Sequence, residues 1–508
     1  MEPVPLDGGP LTRAGVVAVA RGGAPVVVTA EALRGVAATR AHIDKLAEAV
    51  EPTYGVSTGF GALAVRHIPP DRRTALQRSL IRSHAAGSGR EVEPEVVRAL
   101  MLLRLRTLAT GHTGVRQSTV EAMAGMLNAG ILPVVHEYGS LGCSGDLAPL
   151  SAVALALMGE GEVHVDGVRG PAADALAAAG IEPVVLAEKE GLALINGTDG
   201  MLGMLVLALR DLRHLLDVAD LTAAMSVEAL LGTDRVFAAD LQALRPHPGQ
   251  AESAARIAGF LADSPIVASH RGPDCTRVQD AYSLRCAPQV HGAARDTLTH
   301  AETVADRELA AAVDNPVVLA DGRVESNGNF HGAPIAYVLD FLAIPVADVA
   351  SMAERRTDRM LDVARSHGLP PFLAHDPGVD SGHMIAQYTQ AAVVAELKRL
   401  AVPASVDSIP SSAMQEDHVS LGWSAARKLR TAVDGLTTVL AVELLTAARA
   451  LDLRAPLEPG PATGAAVAAL RAHVPGPGPD RHLAPEIAAA EELIRSGALL
   501  GAVKGGNS

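Results

Sequence analysis

Apolar residues recur three and four positions apart over long stretches of the chain, and strict apolar–polar alternation is rare and brief, so the pattern predicts a mainly α fold. Five such stretches, at about 199–231, 288–313, 334–366, 382–401 and 424–453, run well past the usual helix length of about 11 residues, and a long-helix bundle is their natural packing. Pro345 is expected to kink one of these helices or to remove a backbone hydrogen bond from it. Shorter helices are expected nearer the N-terminus. Asp71, after Pro69 and Pro70, reads as the N-cap of a helix through Leu76 and Leu80 to about His84, with Gly87 and Gly89 as stop signals. Pro94 opens another that ends near Gly111, and a third covers about 118–128. Strand signals are local: residues 26–29, and hairpins at Asp166-Gly167 and Asp321-Gly322. The expected organisation is a smaller N-terminal mixed region with short hairpins (1–195), then a long-helix bundle and C-terminal helical region (196–508). The Ala/Pro/Gly-rich tracts at 170–180 and 455–480 read as a surface loop and a loose connection.

Composition narrows the function classes. With 508 residues, 48% of them hydrophobic, the chain has ample material for a large core. Its formal charge of −14 is scattered along the sequence rather than gathered in blocks, which argues against a nucleic-acid or anionic-membrane partner and favours a small-molecule ligand. No signal peptide is visible. The run 147–159 is too short to cross a bilayer, and longer apolar segments carry charges such as Asp340 and Glu443, so a soluble protein is expected. Cys143, Cys275 and Cys286 have no metal-ligand spacing and no need to staple a chain of this size, which fits a reducing cytoplasm and no metal. GFGAL at Gly59 is only a fragment of a dinucleotide loop, without a strand–loop–helix setting, so no external cofactor is expected.

The segment richest in chemistry is residues 139–150, GSLGCSGDLAPL, a glycine-rich loop running into an apolar helix that starts at Asp146 or Pro149. One reading is a tight turn capping a core helix. A second compares it with the GDSGG loop of trypsin-like proteases and makes Ser144 a nucleophile, but that fold needs many short strands. The third is ring closure. Glycine lacks the side chain that would keep the Gly145 nitrogen from approaching the carbonyl carbon of Cys143. Loss of water from the ring and from Ser144 would leave a methylidene-imidazolone, a strong electrophile.

This loop, together with TYGVSTGFGAL from Thr53, RSHAAGSG from Arg82, LINGTDG from Leu194, QDAYSLRCAPQV from Gln279, NGNFHG from Asn327 and SSAMQEDHVS from Ser411, resembles the histidine, phenylalanine and tyrosine ammonia-lyases and related aminomutases. The matches span about residues 50–430, and the total length is that of the histidine branch. The resemblance implies a long-helix bundle of the aspartase/fumarase-like type and elimination of ammonia from L-histidine to give trans-urocanate, which is the first step of histidine degradation. It also implies a 4-methylidene-imidazole-5-one made autocatalytically from Cys143, Ser144 and Gly145, with Ser144 becoming dehydroalanine, and a cytoplasmic homotetramer whose active sites are built from several subunits. In the family mechanism the methylidene carbon captures the substrate, through its amine or, in an older proposal, through its imidazole, while a base removes the β-proton.

The same resemblance implies the roles of individual residues. Tyr54 stands at the position of the base, in a loop that Gly55, Gly59 and Gly61 would let close over substrate. Tyr282 and Arg285, three apart, share a helical turn and could face one cavity. Arg285 would clamp the substrate carboxylate with its planar fork, Tyr282 would assist ring formation and proton handling, and Gln279 would hold Tyr282. Asn196 would donate from its amide to the ring oxygen or the substrate. Phe330, in NGNFHG, joins the substrate-binding set. Selectivity falls to His84 and Glu416: phenylalanine-specific relatives carry an apolar residue and an amide there, so a polar ring is expected, held by Glu416 on one nitrogen and His84 on the other. The chain departs from its relatives at Cys143, where alanine is common, at Ala152, where histidine is common, and at His383, where an apolar residue is commoner. Three alternatives stand beside this reading: a sister enzyme acting on tyrosine or phenylalanine, a serine hydrolase using Ser144, and a non-catalytic helical scaffold.

Overall fold

The computed structural model describes residues 2–49, 53, 55–59, 66–272 and 278–505. Tyr54, Gly61 and Cys275 lie outside the described residues. The fold is helical with short strands, as the periodicity predicts, and the long helices are Asp199–Ala229, Ala287–Leu309, Ala333–Leu361, Met384–Leu400 and Gly422–Asp452. Pro345 stands inside Ala333–Leu361, and the helix continues past it.

Two compact units emerge, one of residues 1–207, 302–339 and 403–427, the other of residues 208–301, 340–402 and 428–508. They interleave in sequence because four of the long helices contribute residues to both, whereas a boundary at 195/196 follows the chain's motifs.

In the first unit the helix Pro94–Ala109 is the centre. From Val96 on, all but one of its residues are buried, and Leu147–Leu157, Gln117–Asn128 and Glu190–Ile195 pack around it. Such an all-round apolar helix can only be a core helix. The helix Pro70–His84 begins two residues earlier than expected. Pro69 occupies the cap position and Asp71 lies in the first turn, where its carboxylate faces the positive helix end without being the cap. Strands Glu162–Val165 and Val168–Pro171 form the hairpin around Asp166-Gly167, both residues at positive φ (48° and 78°), as a two-residue primed turn requires. A second hairpin pairs Val317–Val318 with Val324–Glu325 around Gly322. The tract at 170–180 is not a loop: it completes a strand and forms the helix Ala172–Ala178, because Ala and Leu176 outweigh Pro171 at the helix start.

In the second unit, Glu443 is fully buried and fully paired. It receives Thr222 Oγ1 at 2.7 Å, Ser226 Oγ at 2.9 Å and the Arg356 guanidinium at 2.5 and 3.0 Å. The tract at 455–480 likewise contains a helix, Pro461–Arg471, opened by proline at its first position. Two helices, Ala333–Leu361 and Gly422–Asp452, are long and apolar enough to cross a membrane by length and composition, but 61% and 78% of their most apolar stretches are buried inside the protein, as in core helices.

Candidate active site

The loop before the helix Leu147–Leu157 turns through three glycines with positive φ, Gly139, Gly142 and Gly145. At Gly145 (φ +82°) a side chain is excluded twice over, since a Cβ there would lie 2.1 Å from the Gly197 carbonyl oxygen and 2.5 Å from its nitrogen. Gly145 and Gly197 form a bridge, and the Asp146 amide donates to Gly197 O at 2.7 Å. Asp146 then fastens the other end. Its buried carboxyl accepts the Ser140 hydroxyl (2.8 Å) and the amides of Gly200 (2.9 Å) and Met201 (3.0 Å), at the start of the helix Asp199–Ala229. Burial pushes this carboxyl up to about 7, against the pull of the Met201 amide and the Ser140 hydroxyl.

The SSAMQEDHVS segment is tied to the same loop. Ser420 Oγ donates to Gly142 O at 3.0 Å and Leu421 N to Leu141 O at 2.9 Å, while the Gly332 amide, at the end of NGNFHG, reaches Gly142 O at 3.4 Å. These bonds bring Glu416 to the serine: Ser144 Oγ donates to Glu416 Oε1 at 3.3 Å, and Ser411 Oγ donates to Glu416 Oε2 at 2.9 Å. Cys143 is buried against the same carboxylate. Burial first, then the hydrogen bond to Glu416, pushes its thiol up to about 12, so it stays protonated at neutral pH and is no nucleophile.

His84 closes the helix Pro70–His84. Its Nδ1 lies 2.9 Å from the Leu80 carbonyl oxygen, and because a carbonyl only accepts, Nδ1 carries the proton and Nε2 is left as an acceptor. Burial lowers the affinity of this imidazole for a second proton, partly offset by the Leu80 carbonyl and by the field of Glu416. Asn196 is buried at the end of the helix Glu190–Ile195, its Nδ2 3.3 Å from Leu192 O. Phe330 is half-buried.

The first unit thus assembles Cys143, Ser144, Gly145, Glu416 and His84, with Asn196 next to Gly197. Gln279, Tyr282 and Arg285 lie in the second unit. There the turn Tyr282–Arg285 puts the Arg285 guanidinium over the Tyr282 ring at 4.7 Å, and Gln279 and Arg285 line a cavity of about 350 Å³ with Thr233, Arg235 and His270. Ser140 and Ser420 were not singled out from the sequence. Both sit inside quoted motifs, but a serine bonded to backbone has no spacing signature of its own. His331 and His418, whose rings stack at 5.3 Å between centroids, were missed for the same reason.

Residues 11–472 match the family described as aromatic amino acid lyase. The chain is similar to a histidine ammonia-lyase of Streptomyces coelicolor, 67% identical over 496 residues and 97% of each chain. Among solved structures it is similar to histidine ammonia-lyase from Trypanosoma cruzi (TM-score 0.91, 39% identity, 99% of this chain and 95% of that one). It is also similar to a tyrosine aminomutase from Streptomyces globisporus (TM-score 0.93, 40% identity, 99% and 98%).

Proposed function

The chain belongs to the aromatic amino acid lyase family, and from that premise we propose that it removes ammonia from L-histidine without oxidation, giving trans-urocanate in the first step of histidine degradation. It is a carbon–nitrogen lyase. The observation that carries the choice of histidine is the pair of acceptors near Ser144: the Glu416 carboxylate and the Nε2 of His84. A protonated imidazole, the form a carboxylate at Glu416 favours, offers one N–H to each. A phenyl ring would give His84 Nε2 no donor, at roughly 1–3 kcal/mol, and would add nothing to the bonds Glu416 already accepts from Ser144 and Ser411.

The residues of the loop suit the self-made ring. Gly145 occupies a position that admits no Cβ, and Ser144 keeps its hydroxyl half-exposed beside Glu416. When formed from Cys143, Ser144 and Gly145, the 4-methylidene-imidazole-5-one supplies the electrophile that makes the amine a better leaving group. The other roles belong to ordinary side chains. Glu416 holds the imidazole and accepts protons at the site, His84 binds the second ring nitrogen, and Phe330 covers the ring's apolar face. Asn196 orients the reacting end, and Tyr54 is the base for the β-proton on the strength of its motif. Arg285 pairs the carboxylate through its fork, and Tyr282, held by Gln279, assists the proton steps. The functional division falls at 195/196, with the electrophile loop before it and the bundle after it. The assembly is a cytoplasmic homotetramer in which one site draws residues from several subunits.

The test follows absorbance in the urocanate band after adding L-histidine, with L-tyrosine and L-phenylalanine in parallel and Ser144→Ala as control. A rise with histidine alone, lost in the variant, is expected. Product from tyrosine or phenylalanine would move the assignment to the aminomutase and phenylalanine branches, and silence with all three would sink it.

A further inference from the structure

Arg104 is fully buried on the central helix Pro94–Ala109 of the first unit, and nothing in the proposed chemistry uses it. Its guanidinium is spread over one small region. Nη1 donates to the carbonyls of Ala193 and Asn196, both at 2.9 Å, Nε and Nη2 donate to Asp199 Oδ2 at 3.0 and 2.6 Å, and Nη2 also reaches Val313 O at 3.3 Å. Ala193 and Asn196 end the helix Glu190–Ile195 and Asp199 begins the next one, so a single side chain spans the connector Asn196–Gly197–Thr198 from both ends. Thr198 is held in addition by Glu308, Oγ1 to Oε1 at 2.6 Å.

Three layers result. A Cβ on Gly197 would lie 1.7 Å from Arg104 Nη2 and 2.2 Å from Asp199 Oδ2, and a Cβ on Gly145 would lie 2.1 Å from Gly197 O. The Arg104–Asp199 pair therefore backs Gly197, and Gly197 backs Gly145, the residue whose nitrogen must turn inward.

We propose that Arg104 is the positioning residue for maturation of the electrophile: clamped to Asp199, it makes the Asn196–Gly197 connector a fixed wall that holds Gly145 in the bent conformation ring closure needs. The inference rests on the reading that Cys143, Ser144 and Gly145 close into a ring. In that step the Gly145 nitrogen bonds to the Cys143 carbonyl carbon. The carbonyl oxygen leaves as water with the amide protons of Gly145 and Ser144, as the Ser144 nitrogen forms a double bond to that carbon. The Ser144 hydroxyl and α-proton leave as a second water. No oxidant or reductant is involved, so the requirement is geometric, and a wall that yields slows it. Lysine in place of arginine keeps the charge on Asp199 but, as a point donor, cannot at the same time span the two carbonyls.

The experiment weighs the peptide spanning residues 139–150 from denatured full-length protein at intervals after synthesis, in wild type, Arg104→Lys and the control Arg295→Lys. Arg295 is another buried arginine, and its partners are Asp217, Asp220 and Glu252. Wild type and control are expected to have lost the mass of two waters and to show the near-UV band of the conjugated ring. Soluble Arg104→Lys, with unchanged far-UV circular dichroism, is expected to mature about tenfold more slowly. If Arg104→Lys does not accumulate, Asp199→Asn carries the same comparison, because it keeps the shape and removes one charge of the clamp. Maturation of either variant at the wild-type rate overturns the inference. A wild-type peptide that keeps both waters overturns the ring reading itself, and so is a distinguishable failure.

Discussion

Around Ser144 the polar groups are bonded to one another within a single unit, whereas around Arg285 they wait for partners. Glu416 is held by Ser144 and Ser411, Asp146 by Ser140 and two helix amides, and the loop backbone by Ser420. Arg285 has a buried Nε with no hydrogen-bond partner among the described residues, Tyr282 is 70% exposed, and Gln279 is exposed. A buried guanidinium nitrogen left unpaired is costly, so Arg285 Nε is a position where a further acceptor would be favourable. The polar groups around Ser144 are thus saturated within one unit, and those around Arg285 are not saturated among the described residues.

The largest effect that would break this contrast is at Gly145. Gly145→Ala puts a methyl group within 2.1 Å of the Gly197 carbonyl at a φ of +82°, and backbone cannot step aside as a side chain can. Histidine turnover should fall at least about a thousandfold, with the loop peptide keeping both waters by mass. Full activity would mean that the glycine wall is not what shapes the loop. Next is Glu416→Gln, which keeps size and removes charge. Losing a charged acceptor for the imidazole should cost roughly 1.5–3 kcal/mol, or about 10–100-fold in kcat/KM for histidine, in a protein whose loop peptide matures normally. An unchanged kcat/KM would remove Glu416 from substrate recognition.

A mixing experiment addresses the other side of the contrast. Ser144→Ala and Arg285→Ala are each expected to be inactive. Co-expressed, they should regain about one quarter of wild-type activity if a site takes its serine and its arginine from different subunits, since half of each position is wild type in a random mixture. If both residues of a site came from one chain, no site would contain both, and the mixture would stay as inactive as its components.

The same contrast explains how far the sequence could be read. Helix periodicity was legible because burial of long apolar faces leaves a regular signature, and the Asp166-Gly167 turn was legible because only such residues tolerate two positive φ values in succession. The tightness of the loop was legible through Gly145, which stands at φ +82° where no Cβ fits. The partners of Arg104, Ser140 and Ser420 were not, because they are backbone groups and side chains that come into reach only once the chain has folded. The helices within 170–180 and 455–480 were hidden by Pro and Gly at their ends, which mark starts and stops as readily as loops.

The two units should also answer pH in opposite directions, although the effect on turnover is the smallest of those considered. In the first unit burial raises Asp146 from 3.8 to about 7, so its contribution to stability is complete below about 3.8 and is lost as pH rises through about 7. In the second unit His383 is buried against Thr446 and surrounded by Arg449, Arg471 and Arg481. Burial, with those charges, lowers it from 6.5 to about 3, so its contribution is complete above about 6.5 and is lost as pH falls toward about 3. Unfolding free energies from urea titrations at pH 4 to 8 should therefore separate the variants. Relative to Asp146→Asn, wild type should lose stability across that range as pH rises. Relative to His383→Asn it should gain stability up to about pH 6.5, each difference being at most about 4 kcal/mol at roughly 1.4 kcal/mol per unit. Parallel slopes for the two variants would mean that one of these groups is ionised in the folded protein. For Asp146 that would be intelligible, because the amides of Gly200 and Met201 at the helix start already offer a carboxylate two donors, and it would shift the balance at this residue from burial to hydrogen bonding.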